Sequence, residues 1–126
     1  MIKEEKSPKF SLKQRLASFK YALHGFKVLL KYEHNARLHL LFAGLAVWCG
    51  WFLNISLTEW ALLSFAIALV FITEILNTCI EEICDFVCAE NNLKIKKIKD
   101  LAALAVLIAA VASITIGLFI FLPKIF

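Results

Sequence analysis

The stretch LAALAVLIAAVASITIGLFIFL, residues 101–122, contains no charged side chain. As a helix it would be about 33 Å long, enough to cross the hydrocarbon core of a bilayer. The rest of the chain has the same character, because 61% of its 126 residues are hydrophobic and 19% are charged. That balance is too apolar for a soluble domain of this size. The sequence therefore predicts an all-α integral membrane protein.

Two further stretches have the length and composition of membrane spans. Residues 38–57 contain His39 and Asn54 as their strongly polar residues, and residues 60–80 are interrupted by Glu74 and Asn77. The predicted organisation is a tail over residues 1–9 and a single membrane domain over residues 10–126. We place its three transmembrane helices at about 38–57, 60–80 and 101–122.

The segment before the first span has the pattern of an amphipathic helix. Apolar residues recur there at steps of three and four, and the lysines lie mostly off that line. Such a pattern predicts a basic helix over residues 10–36, either lying on the cytoplasmic membrane surface or packed against the helical bundle. We call these residues the apolar stripe: Leu12, Leu16, Phe19, Leu23, Phe26 and Leu30.

Basic residues orient the predicted spans. Nine of the fourteen Lys and Arg residues precede the first span, four lie within residues 94–99, and none lies in the short loop near residues 56–59. Cytoplasmic loops carry the excess of Lys and Arg in membrane proteins. The N-terminus and the second loop are therefore predicted to be cytoplasmic, and the first loop and the C-terminus to face outward.

Four polar residues share one face of the second span. At 100° per residue, Glu74, Asn77, Glu81 and Asp85 fall inside an arc of about 80°, and Glu82 lies off its centre. We call these four residues the polar stripe. Ionisable groups within a membrane normally face a cavity, an ion or a partner, which favours a functional interpretation of the stripe. Alternatively, Glu81 and Asp85 form the solvated end of the helix and pair with Lys96 or Lys99.

The chemistry of the polar stripe points to phosphate. Carboxylate and amide oxygens are hard ligands that suit Mg²⁺, which proteins commonly share with substrate phosphates. With further acids and a lysine near the cytoplasmic boundary, this pattern indicates phosphoryl transfer to a lipid hydroxyl. Because the sequence has no Walker-type phosphate loop, any ATP site must be of another kind. A non-catalytic membrane subunit or a cation carrier, with Glu74 and Glu81 as ion ligands, is the alternative.

One motif carries a family resemblance. The pattern E-I-L-N-[ST]-x-I-E-x-x-x-D, which ends at Asp85 and is followed by K-D at Lys99 and Asp100, resembles the prokaryotic diacylglycerol kinase family. This family of small three-span enzymes also includes the undecaprenol kinases. The resemblance runs from about residue 15 to residue 122 and implies an ATP-dependent lipid kinase, with diacylglycerol as the first candidate acceptor and undecaprenol as the second.

The resemblance also implies roles for individual residues. Glu74 matches the catalytic base that accepts the proton of the lipid hydroxyl, and Asn77 orients the base or the hydroxyl. Glu33 and Glu81 match the ligands of Mg²⁺, and Arg15, beside Gln14, takes the lipid contact together with Glu74. Glu82 has no matching role and is expected to be dispensable. The positions matched to the nucleotide side are Tyr21, Glu33, Glu81, Asp85, Glu90, Asn92, Lys99 and Asp100.

Assembly and location follow from the same resemblance. It implies a homotrimer with active sites shared between protomers, and small residues along the third span would allow close helix contacts. The implied location is the bacterial cytoplasmic membrane, with the active site on the cytoplasmic side. The expected partners are ATP, Mg²⁺ and a membrane lipid, and no nucleic acid.

Overall fold

Residues 2–126 are described by a computed structural model. They form four helices: α1 Leu12–Tyr32, α2 His34–Phe52, α3 Leu57–Val87 and α4 Leu93–Ile125. This part of the chain is all-α, as the sequence predicts. Within it, α3 and α4 are long and apolar enough to cross a membrane.

Helices α3 and α4 pack side by side as an antiparallel hairpin. This pair holds most of the chain's tertiary packing. Polar contacts near both ends and in the middle fix the register of the two helices. The helices have 31 and 33 residues, or about 46 and 50 Å, so both extend beyond a hydrocarbon layer of about 30 Å. The cross-helix contacts are Lys99 with Asp85 at 2.5 Å, Ser113 with the carbonyl oxygen of Ala66 at 3.0 Å, and Lys124 with Glu59 at 3.1 Å.

One face of α3, which we call the seam, is buried by the other helices of the chain. Its buried residues are Leu63, Ala66, Val70, Glu74 and Cys84, and half-buried Asn77 and Glu81 fill the gap between the last two. The steps of three and four residues are those of helices that cross at a small angle, with side chains of one between side chains of the other. The polar stripe therefore continues the line that is apolar at the other end of α3.

A tight connection separates α2 from α3. Asn54 has a φ of 52°, and the Ile55 amide donates to the carbonyl oxygen of Gly50 at 3.1 Å, as in a Schellman helix end. The hydroxyl of Ser56 and the carboxylate of Glu59 then form a capping box that starts α3. The span predicted over residues 38–57 accordingly ends as helix at Phe52, because these local hydrogen bonds stop α2 and begin α3.

Another break lies between α1 and α2, within residues 10–36, for which the sequence predicts one continuous amphipathic helix. Glu33 is extended there, and the Arg37 guanidinium donates to the carbonyl oxygens of Leu30 and Lys31, at 2.6 Å each. Those carbonyls belong to the last turn of α1, so Arg37 satisfies acceptors that the helix end leaves free. The amphipathic helix thus ends at Tyr32, and Glu33 is held at a junction.

Most of the apolar stripe of α1 does not pack on the rest of the chain; Leu30, at its end, is half-buried. Leu29 is the buried residue of α1, whereas Phe19, in the middle of the stripe, is 71% exposed. The stripe is therefore available to lipid or to another copy of the chain. Helix α2 has 19 residues and begins with His34, Asn35 and Arg37, so it is less apolar than α3 and α4.

Candidate active site

Glu74 is the centre of the candidate site. Its side chain, on the buried face of α3, is 1% exposed, and its Oε2 atom has no hydrogen-bond partner among residues 2–126. A buried carboxylate without partners is costly, and such groups are found where a ligand, an ion or a reaction requires them. The position of Glu74 therefore distinguishes it from the exposed acids of the chain.

Asn77 and Glu81 extend the site along the same face. The Asn77 amide donates to Glu81 Oε1 at 3.3 Å, and Oδ1 of Asn77 is buried with no partner in the described part of the chain. One turn separates each of these residues from the next, as the helical period requires. The structure thus brings Glu74, Asn77 and Glu81 together as the sequence predicts, with two oxygen atoms free to accept from a ligand.

Glu33 joins this site from the junction of α1 and α2. Burial raises the pKa of its carboxyl group, and the negative charges of Glu81, Glu74 and Glu82 raise the pKa further. Glu33 thus experiences the charges of the polar stripe, although it lies far from the stripe along the chain. Like charges gathered in this way favour binding of a cation or a proton.

Asp85 and Lys99 form a separate pair toward the end of the hairpin. Lys99 Nζ lies 2.5 Å from Asp85 Oδ1, and this partner raises the pKa of Lys99 above its ordinary value. The Asp85 carboxylate is therefore paired with a lysine of α4, whereas Glu81 accepts from Asn77 on its own helix. Asp100 contacts Lys96 at 2.6 Å, one turn away on the outer surface of α4. Of the two lysines expected to pair with the stripe, the structure selects Lys99.

The remaining predicted positions lie apart from Glu74. Arg15 and Tyr21 are exposed on α1, and within residues 2–126 neither makes a hydrogen bond or an ion pair with the polar stripe. Glu90 is exposed in the connection between α3 and α4. Oδ1 of Asn92 accepts from the amides of Lys94 and Ile95, so this side chain caps the start of α4.

His39 belongs to the site although no role was predicted for it. Its Nε2 atom lies 3.5 Å from Glu74 Oε2, and its side chain is 23% exposed. In the sequence it is a single polar residue inside an apolar stretch of α2, with no motif around it. Only the packing of α2 against α3 places it beside Glu74.

The donor atoms fit a hard divalent cation in part. Glu33 and Glu81 provide carboxylates and Asn77 a free amide oxygen, which are the ligand types that Mg²⁺ prefers. Across residues 2–126, however, no group of three or more His, Cys, Asp or Glu side chains is arranged to hold a metal.

Comparison with known proteins gives a consistent result. A family model described as "Prokaryotic diacylglycerol kinase" matches residues 20–121. A curated relative named "Undecaprenol kinase" from Bacillus subtilis is 35% identical over 121 residues, covering 96% of this chain and 98% of the relative. Another, named "Diacylglycerol kinase" from Synechocystis sp., is 36% identical over 110 residues, covering 86% of this chain and 62% of the relative.

Proposed function

This chain belongs to the prokaryotic diacylglycerol kinase family and is a lipid kinase, and we propose that it transfers the γ-phosphate of ATP to the hydroxyl of a membrane lipid. The observation that carries the proposal is the buried Glu74 carboxylate on α3, a helix long and apolar enough to cross a membrane. A base at that depth can meet a hydroxyl on an embedded lipid. Glu74 would accept the hydroxyl proton as the lipid oxygen attacks the γ-phosphorus.

Asn77 and the acids around it would organise the phosphate side of the reaction. Glu33 and Glu81 would hold Mg²⁺, which when bound would neutralise charge on the transferred phosphate. Like-charge repulsion among Glu33, Glu81 and Glu74 supports this role, because a cation relieves it. Lys99 and Asp85, already paired at the end of the hairpin, would contact the nucleotide together with Asp100 and Glu90.

Two lipids are candidate acceptors. Diacylglycerol is the acceptor first expected from the family resemblance. Undecaprenol is favoured by the relative named "Undecaprenol kinase", which aligns with this chain almost from end to end, whereas the relative named "Diacylglycerol kinase" aligns over 62% of its own length. We therefore propose undecaprenol first and diacylglycerol second.

The proposed assembly is a trimer of three-span protomers in the bacterial cytoplasmic membrane. In this arrangement α2 is the first span, α1 lies on the cytoplasmic surface, and the end of α4 faces outward. The exposed apolar residues along α3, among them Phe65, Ile72 and Leu76, support contact with lipid or with other copies. In this trimer, residues of two protomers would form each nucleotide site.

A direct assay tests the proposal. The purified chain in mixed micelles receives labelled ATP and Mg²⁺ with either undecaprenol or diacylglycerol, and the phosphorylated lipid is extracted and counted. We expect the labelled phosphate to be transferred to at least one of the two lipids, with the higher kcat/KM for undecaprenol. Higher kcat/KM for diacylglycerol would reverse the order of the acceptors, and no transfer to either lipid would reject the proposed function.

A further inference from the structure

Glu74 has one close polar neighbour on another helix. His39 Nε2 lies 3.5 Å from Glu74 Oε2, the oxygen that lacks a hydrogen bond within residues 2–126. A well-formed hydrogen bond would be about 2.7–3.2 Å, so the ring needs to move by only about 0.5 Å. Catalytic hydrogen bonds are commonly longer before substrate binds. The contact therefore joins α2 to the base across the interface between α2 and α3.

His39 also lines a cavity. This cavity of about 430 Å³ lies between α2, α3 and α4 and is lined mainly by apolar side chains, including Phe42, Leu63, Ile67 and Phe121. Polar residues Asn35 and His39 lie at the α2 end nearest Glu74. His39 thus both lines the apolar cavity and lies beside the buried carboxylate.

We infer that His39 is a positioning residue for Glu74. Its Nε2–H donates to Oε2 of Glu74, which fixes the carboxylate rotamer and leaves Oε1 to accept the proton of the lipid hydroxyl. Orientation of a base in this way contributes to rate because a misplacement of about 1 Å can cost about 100-fold. This inference rests on the proposed function, since it requires Glu74 to act as the base.

The inference has a specific requirement for the donor atom. Donation must come from the position of Nε2, at the far edge of the ring. A glutamine amide nitrogen can reach that position, whereas an asparagine amide nitrogen reaches only the position of Nδ1. The two amides have similar polarity, so they separate the placed donor from a general need for a polar side chain on α2.

The test uses His39→Ala, His39→Gln and His39→Asn in the full chain, with His24→Ala on exposed α1 as the matched control. The lipid phosphorylation assay supplies kcat and KM for ATP and lipid. We expect His39→Ala and His39→Asn to lower kcat about 10- to 100-fold, with the KM for ATP unchanged. His39→Gln should recover most of kcat, and His24→Ala should match the unsubstituted chain. Elution from a sizing column and far-UV circular dichroism check the folding of each variant.

Several outcomes would overturn the inference. An unchanged kcat in His39→Ala would do so, as would equal activity in the Gln and Asn variants or an effect confined to the KM for ATP. If His39→Ala does not fold, the comparison of Gln with Asn decides. An unsubstituted chain inactive with both lipids rejects the proposed function and this inference with it, whereas an active chain indifferent to His39 rejects the inference alone.

Discussion

The two halves of the α3–α4 hairpin use the same seam differently. In the half next to the α2–α3 connection, the seam of α3 holds Leu63, Ala66 and Val70, packed against α4. In the other half, the same helical positions hold Glu74, Asn77 and Glu81, with two buried oxygen atoms unpaired within residues 2–126. One half provides close packing, and the other holds polar groups that packing alone would disfavour.

This difference shows how the site is built without disturbing the fold. The step of three and four residues continues through both halves, so the apolar half holds the helices in register while the polar half carries the chemistry. The packing of the apolar half can offset the free energy that burial of Glu74 costs. Substitutions in the polar half should therefore change activity at nearly constant stability, and substitutions in the apolar half should do the reverse.

The largest expected effect is that of Glu74→Gln. Gln has the same shape but a much weaker proton affinity, so lipid phosphorylation should fall by about 10²- to 10⁴-fold. Assembly and nucleotide binding should remain nearly unchanged. Glu82→Gln is the matched control, because Glu82 is exposed about two turns further along the same helix. Retained activity in Glu74→Gln, measured with the same lipid acceptor, would remove Glu74 from the role of base.

A smaller effect is expected at the proposed metal ligands. Glu33→Gln and Glu81→Gln each remove one charged oxygen donor, so the Mg²⁺ concentration for half-maximal activity should rise about tenfold or more. A Mg²⁺ titration at saturating ATP and lipid measures this shift, again with Glu82→Gln as the control. Identical titration curves for both variants and the unsubstituted chain would exclude Glu33 and Glu81 as ligands.

The smallest effect is expected at the glycines of α2, the helix that leads into the apolar half of the hairpin. A Cβ atom on Gly50 would lie 2.9 Å from Ile55 Cδ1 and 3.0 Å from Trp60 Cη2, whereas a Cβ on Gly44 would meet nothing within 4 Å. Gly50→Ala should therefore cost about 1–3 kcal/mol of stability. Gly44→Ala should be neutral or stabilising by up to about 1 kcal/mol, because alanine favours helix.

Denaturant titration of both glycine variants in micelles, followed by circular dichroism, gives the change in the free energy of unfolding. At a temperature where both are folded, their kcat values should match that of the unsubstituted chain. Equal stability of the two variants would contradict the close packing of α2 against Trp60. Loss of kcat in a folded Gly50→Ala variant would show that packing near the α2–α3 connection also affects catalysis. That result would contradict the separation of packing from chemistry along the molecule.

The sequence by itself determined the helices and the polar stripe. Long apolar runs and a shared helical face depend on local composition and on the 3.6-residue period, which require no knowledge of distant contacts. The end of α2 was harder to predict from the sequence. Residues 53–56 form a connection because the hydrogen bonds of the Schellman end and the capping box outweigh the apolar character of the stretch. Glu74, Asn77 and Glu81 were identified from their spacing and lie together as predicted.

Tertiary structure alone decided which distant groups meet that stripe. Glu33 approaches because Arg37 and the extended residue 33 end α1 and redirect the chain into α2. Lys99 pairs with Asp85 and Lys96 with Asp100, although both lysines were possible partners of the stripe. His39 reaches Glu74 through the packing of α2 on α3. These contacts join residues on different helices, and their relative positions depend on packing that no local pattern encodes.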